Sequence, residues 1–333
     1  MFVLQSYAWA VVLCVVTMLC WGSWANTQKL ARTGWRFELF YWDYTFGVLL
    51  LSLLFAFTFG SMGADGRPFV QDLTQADPNN LLSAFVGGVI FNAANILLVA
   101  AIDIAGMAVA FPVGIGLALV LGVVVNYVGN PVGDALLLFA GVGLVTLAIV
   151  LDAVAYRKLP GQGGGASAKG LGLSIACGIL MGLFYRFVAA SMSADFTQLE
   201  PGKLSPYTAV VAFAVGVLAS SLFFNTFIMK KPFRGAPLAA RDYFAGDART
   251  HLVGVLGGII WGVGMMLSIL SSGPAGFAIS YGLGQGATMV AALWGVFVWK
   301  EFKDAPAGTG RLIALMFVCF VAGLSLIVWA RAA

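Results

Sequence analysis

Charge is scarce in this sequence and histidine almost missing. Only 10% of its 333 residues are Asp, Glu, Lys or Arg, where a soluble domain carries about 25%. That shortage excludes a water-facing surface over most of the chain, and the 61% of hydrophobic residues puts lipid in water's place. There is one histidine, no His-Glu-x-x-His helix and no pair of carboxylates within an apolar run, which argues against a membrane-embedded enzyme. The four cysteines (Cys14, Cys20, Cys177 and Cys319) all lie in apolar runs without a CxxC pair. Neither a disulfide framework nor a metal site is expected from them, and no cofactor is implied. The net charge of +4 comes from basic residues scattered singly through polar segments, which excludes a nucleic-acid-binding face. The first apolar run has no basic cluster before it and is too long and too Trp-rich for a cleaved leader, so it is expected to be the first helix.

What remains is a series of long apolar runs. A helix needs about 20 apolar residues to span a bilayer, and ten such helices are predicted near 7–27, 39–60, 81–102, 106–127, 134–155, 170–192, 206–229, 251–272, 274–298 and 310–330. The fold class is therefore all-α integral membrane. Tight hairpins are expected at Asp103–Ala105 and Ser272–Pro274, and Pro206 and Pro274 suit first-turn positions. Gly161–Gly170 superficially suggests a phosphate loop, but lacks its spacing and follows no strand. It reads as a linker. The 42 glycines suit close helix contact, and Gly254-x-x-x-Gly258-x-x-x-Gly262 and Gly178-x-x-x-Gly182 read as packing surfaces.

Orientation follows from the basic residues. Odd-numbered loops hold Lys29, Arg32 and Arg36, then Arg157, Lys158 and Lys169, then Lys230, Lys231, Arg234, Arg241 and Arg249, then Lys300, Lys303 and Arg311. The opposite side holds Arg67, Lys203 and Arg331. Positive charge stays inside, so the odd loops are expected in the cytoplasm and both termini outside. The expected setting is a bacterial inner membrane.

The chain also repeats itself. Gly87–Val120 matches Gly257–Val290 at a constant offset: Gly87-Gly88 meets Gly257-Gly258, Ala105-Gly106-x-Ala108 meets Ala275-Gly276-x-Ala278, and Gly114-x-Gly116 meets Gly284-x-Gly286. Residues 1–155 form a first five-helix repeat, 156–169 a cytoplasmic linker and 170–333 a second repeat. Five is odd, so the second half is expected upside down. Inverted repeats build transporters, with the solute site between the halves near mid-membrane.

Polar residues within spans cost free energy, roughly 2.5–3.5 kcal/mol for a mid-span charge on insertion scales, and so mark candidate sites. Asp43, in Phe40-Tyr41-Trp42-Asp43-Tyr44, is shielded by aromatics and could bind and release a coupling proton. Its alternative is an interfacial pair with Arg36 or Lys29. Glu38 lies nearer the interface and reads as solvated. Asn92 and Asn95 share a helix face and could bond a neutral solute or tie helices together. Tyr281 and Gln285 lie one turn apart near mid-span and are candidate solute ligands. Gln285 stands where the repeat places Ile115, so symmetry does not require it. Trp21, Trp24 and Trp261 could stack on a planar solute or sugar face, or serve as packing or interfacial belt residues. Arg186 is the one intramembrane cation. It is a possible charge site, or snorkels outward toward Asp195. His251, at a cytoplasmic helix start, reads as incidental. Pro112 could serve as a bend.

With these residues in place, the chain resembles the drug/metabolite transporter superfamily in its ten-helix form, most of all the ureide permeases and the related glucose/ribose and rhamnose porters. The likeness rests on Tyr41-Trp42-Asp43-Tyr44, Gly87-Gly88 followed by Asn95, Asn126-Tyr127, Ala275-Gly276-Phe277-Ala278, and Leu293-Trp294-Gly295 followed by Lys300-Glu301-Phe302. It implies proton-coupled uptake of a small polar metabolite and draws Asp43 and Asn95 into the site. The central loop is shorter than in plant ureide permeases, and Tyr281 stands near where they carry an acid, so a sugar and a ureide or nucleobase both stay open as solutes. The expected activity is secondary active transport by alternating access, with a proton-antiport exporter of drugs or metabolites as the alternative.

Overall fold

The computed structural model describes residues 1–159, 168–233 and 235–333, and of Asp103, Met107, Ala108 and Phe111 only the backbone. Ten described helices are long and apolar enough to cross a membrane. They are α1 (Tyr7–Leu30), α2 (Phe37–Phe57), α3 (Pro78–Ala105), α4 (Pro112–Gly129), α5 (Ala135–Arg157), α6 (Ala168–Ser191), α7 (Pro206–Lys230), α8 (Ala248–Ala275), α9 (Phe277–Val298) and α10 (Thr309–Ala332). Each expected helix is present. The linker expected at 156–169 falls mostly at 160–167, outside the described residues.

Side-chain caps start several helices. Ser6, Asp77, Asp134, Ser205 and Asp247 each accept a backbone N–H from the first turn that follows, satisfying one of the donors a helix start leaves open. Pro78 and Pro206 occupy first-turn positions, where a missing N–H costs nothing. Pro274 does not. It lies within the last turn of α8, because the reversal into α9 is made two residues later by Gly276 at φ 85°. Gly106 makes the matching turn after α3 at φ 77°. Both need a backbone region that side chains disfavour. Three of the long helices change character. The last turns of α1, Trp24–Leu30, are 3₁₀. A π segment at Phe111–Ile115 leads into α4, and another at Trp294–Val298 ends α9.

The helices pack mostly across the two halves of the chain. α8 lies against α1 and α2, while α3 lies against α6 and α7. α1 also meets α9, as α6 meets α4. Exchanging each helix for the one five places away maps this set of pairs onto itself. Two bundles result: α1, α2, α8 and α9 on one side, and α6, α7, α3 and α4 on the other, with α5 and α10 paired beside them.

The crossings repeat in detail. A Cβ on Gly88 would run into the carbonyl oxygen of Phe213, and one on Gly216 into that of Phe85, where α3 crosses α7. A Cβ on Gly258 would strike the carbonyl oxygen of Tyr44, and one on Gly47 that of Val255, where α8 crosses α2. Backbones this close are held by dispersion between surfaces that only glycine permits. Gly254 and Gly262 continue the same face against Asp43 and Leu51, and Gly178 and Gly182 pack on α4.

Candidate functional site

A cavity of about 560 Å³ lies between the two bundles. One wall comes from Trp21 and Trp24 of α1, Trp261 of α8, and Gln285 and Thr288 of α9. The facing wall comes from Phe91, Asn95 and Ile102 of α3, Ile115, and Met181 and Phe184 of α6. The lining reaches Gln28, Arg36, Glu38 and Phe233 at the end that carries the odd-numbered loops, where Arg36 pairs with Glu38.

Aromatic rings make most of this surface. Trp21 stacks on Trp261 at 5.8 Å and 15°, with its indole N–H donating to the Trp261 carbonyl 3.2 Å away. Trp261 in turn meets Phe91 at 4.5 Å and Phe213 at 5.9 Å. Phe91 and Trp261 stand at the same offset as the repeat, as do Ile115 and Gln285. Residues that correspond in the two halves thus line one cavity, and one such pair touches.

Few polar groups interrupt the rings. Asn95 is buried and donates to the Tyr41 hydroxyl at 3.1 Å. Its carbonyl oxygen has no hydrogen bond among the described residues, and the same holds for the whole side-chain amide of Gln285. Both border the cavity. Other span amides are bonded within the bundle, although the buried oxygens of Asn126 and Asn225 also have no partner among the described residues. Asn92 accepts from Tyr41 at 2.9 Å and donates to Ser220 and Ser221 at 2.8 and 3.1 Å, tying α2, α3 and α7 together away from the cavity. Tyr281 is likewise buried outside the lining, with its hydroxyl donating to the carbonyls of Ala118 and Met181 at 3.1 Å each.

Asp43 faces away from the cavity, against Gly254 of α8. It accepts from the Tyr243 hydroxyl at 2.6 Å and contacts His251 Nδ1 at 2.9 Å. Tyr243 belongs to a short helix, Ala240–Phe244, in the loop after α7. Burial and the Asp43 carboxylate push its phenol above the ordinary range, so it stays a proton donor in this bond. His251 stands edge-on to Trp35 at 5.5 Å and is a quarter exposed on the odd-loop side. Asp43 is therefore outside the cavity lining and linked to the odd-loop surface through His251. The histidine that reads as incidental in the sequence is its hydrogen-bond partner, in place of Arg36, which is held by Glu38 and the Ala236 carbonyl.

Arg186 lies against Gly129 at the end of α4. Asp195, its expected partner, instead accepts from the Thr197 backbone and hydroxyl at 2.8 and 2.7 Å, which hold its carboxyl below the usual range.

At the opposite end the loops after α2 and α6 are tied to each other. Asp72, fully buried in the short helix Phe69–Gln75, accepts from Arg67 Nε at 3.0 Å and from Ser205 N at 2.8 Å. Arg67 also donates to the carbonyls of Leu199, Glu200 and Lys203. Gln75 and Asn80 bond to the same loop through Lys203 and Gly202. Nothing in the local sequence singles out Asp72 or Tyr243. The repeat could have, since both sit on short helices that follow the second helix of a half. It also places Phe91 in the lining once Trp261 is suspected.

Comparison with known proteins agrees with this architecture. The profile of the ureide permease family matches residues 40–159 and 164–330. Ureide permease 4 and Ureide permease 5 of Arabidopsis thaliana are each 23% identical over 98% of this chain, covering 98% and 95% of their own lengths. A probable glucose uptake protein, GlcU, of Staphylococcus aureus (strain MRSA252) is 30% identical over 22% of the chain and 26% of its own length. A protein of known crystal structure superimposes with a TM-score of 0.61 at 16% identity, over 98% of this chain and 99% of that one, and so shares the fold. The profile spans both halves and nearly all the helices described above, so the chain belongs to the ureide permease family, a family of transporters of small polar solutes rather than of enzymes.

Proposed function

We propose that this protein takes up a small polar solute together with a proton, by alternating access between two inverted five-helix halves. One observation carries the reading: two carboxamide groups, Asn95 Oδ1 and the Gln285 amide, border an aromatic cavity between the bundles with no hydrogen bond to the described residues. Polar groups that converge in a mostly apolar cavity are the pattern of a small-molecule site, where they fix the ligand's orientation. The stacked Trp21 and Trp261 rings and the nearby Trp24 offer faces for a planar ureide or nucleobase, or for the apolar face of a sugar.

The exchange symmetry of the helix pairs supports inversion, because odd-numbered halves cross the membrane in opposite senses. The basic loops orient the cavity mouth to the cytoplasm, with both termini outside, in an inner membrane. In this reading the structure is the inward-open state, and the Arg67–Asp72 network is the shut outer gate. Asp43 is the coupling site, with His251 as its path to the cytoplasm. The solute and proton sites are separate, so coupling runs through α2, which carries Asp43 on one face and Tyr41, the partner of Asn95, on another.

The test is uptake into proteoliposomes with an imposed pH gradient. Labelled allantoin (a ureide), uracil and glucose are offered in turn, with internal pH recorded. Accumulation of one of them with proton entry is the expected result. Solute leaving as protons enter would establish the exporter instead, and flux that never exceeds equilibration would exclude coupling.

A further inference from the structure

The aromatic wall hides one polar group that neither bundle packing nor the cavity amides explain. Tyr44 lies one turn beyond Tyr41 on α2 and is fully buried. Its hydroxyl has no hydrogen-bond partner among the described residues. A buried hydroxyl left unpaired destabilises the fold, and lipid supplies no substitute partner. Phenylalanine would fill the same space without that penalty, so the oxygen needs a reason.

Its surroundings suggest one. The Tyr44 ring stacks on Tyr41 at 5.1 Å, is covered by Trp24 at 4.6 Å and meets the edge of Trp261 at 6.3 Å. Trp24 and Trp261 both line the cavity, so Tyr44 sits directly behind its wall. Tyr41 differs, since its hydroxyl is already engaged by Asn92 and Asn95. Trp24 is also the first residue of the 3₁₀ segment ending α1. At Trp24 the helix passes from α geometry to the 3₁₀ geometry common at helix ends. The cover over Tyr44 therefore stands at the junction between the two.

We propose that Tyr44 is a third solute-binding residue, uncovered when Trp24 swings aside, whose hydroxyl then bonds a neutral polar group of the solute alongside Asn95 and Gln285. This rests on the cavity being the solute site. A phenol both donates and accepts, which suits an amide or hydroxyl on the solute.

Tyr44→Phe keeps every ring contact and removes only the oxygen. Purified full-length protein, reconstituted with whichever of allantoin, uracil or glucose the wild type takes up, should show a KM raised about fivefold, the weight of one neutral hydrogen bond. Its melting temperature should be unchanged or higher, because no folded-state bond is lost. An unchanged KM overturns the proposal. So does a lowered melting temperature, with or without a change in KM, because the hydroxyl then had a structural partner such as a buried water. Gln285→Ala is run in parallel. If it raises KM and Tyr44→Phe does not, only the Tyr44 assignment fails. If neither does, the cavity is not the solute site.

Discussion

Replacing Asp72 by Asn should tip the protein toward the conformation open at the end opposite the present cavity mouth. Asp72 is wholly buried and accepts from Arg67 and from the backbone of Ser205 at the start of α7. Asparagine keeps the shape but removes the charge. Arg67 retains its three carbonyl partners, so the loops stay folded while their cross-link weakens. A hydrogen bond to an ionised group contributes about 1.5–3 kcal/mol. At about 1.4 kcal/mol per factor of ten, losing one such bond shifts the balance between the two conformations by roughly tenfold to a hundredfold. Thr288, in the cavity wall, reports the shift. With Thr288→Cys in a background lacking the four native cysteines, an impermeant thiol reagent should label the wild-type cavity only from the side of the basic loops. In the Asp72→Asn variant, labelling from the other side should rise by that factor. If the labelling pattern stays the same while the melting temperature falls, Asp72 is a structural clamp and the gate assignment is wrong.

Other expectations follow from the same geometry. Asp43→Asn should abolish accumulation, which one coupled proton sustains at about tenfold per unit of pH gradient, while solute exchange continues. Surviving accumulation removes Asp43 from coupling. His251→Gln leaves Asp43 with Tyr243 as its remaining side-chain partner and should move the pH profile of uptake, and an unmoved profile excludes His251 from the proton path. Gly258→Ala and Gly88→Ala drive a methyl group into facing carbonyl oxygens and should each destabilise by about 1–3 kcal/mol. Gly143→Ala on α5, which meets open space, should be neutral in the same thermal assay.

The helices were legible because apolar runs of spanning length leave a chain few alternatives in lipid. The repeat was legible because Gly87-Gly88 and Gly257-Gly258 serve the same crossing in each half, and only glycine fits there. What escaped depended on partners far along the chain. Asn92 and Asn95 share a face of α3, yet the serines of α7 claim Asn92 and leave Asn95 at the cavity. Spacing within α3 carries no trace of that choice. Asp43 offers two nearby cations in sequence, but its partners come from about two hundred residues away, because α8 crosses α2 at Gly254 and brings His251 with it. Pro274 looks like a helix start by composition, and only the backbone of Gly276 shows where the chain turns.

Because each bundle draws its helices from both halves of the chain, assembly cannot proceed half by half. While α1 to α5 are being synthesised, α2 and α3 lack the glycine-bearing surfaces of α8 and α7 they finally grip, and must wait in the bilayer as loosely associated spans. A ribosome stalled before α7 would leave a membrane intermediate with no cavity. Two separately expressed fragments, cut between α5 and α6, should acquire stability only on meeting each other.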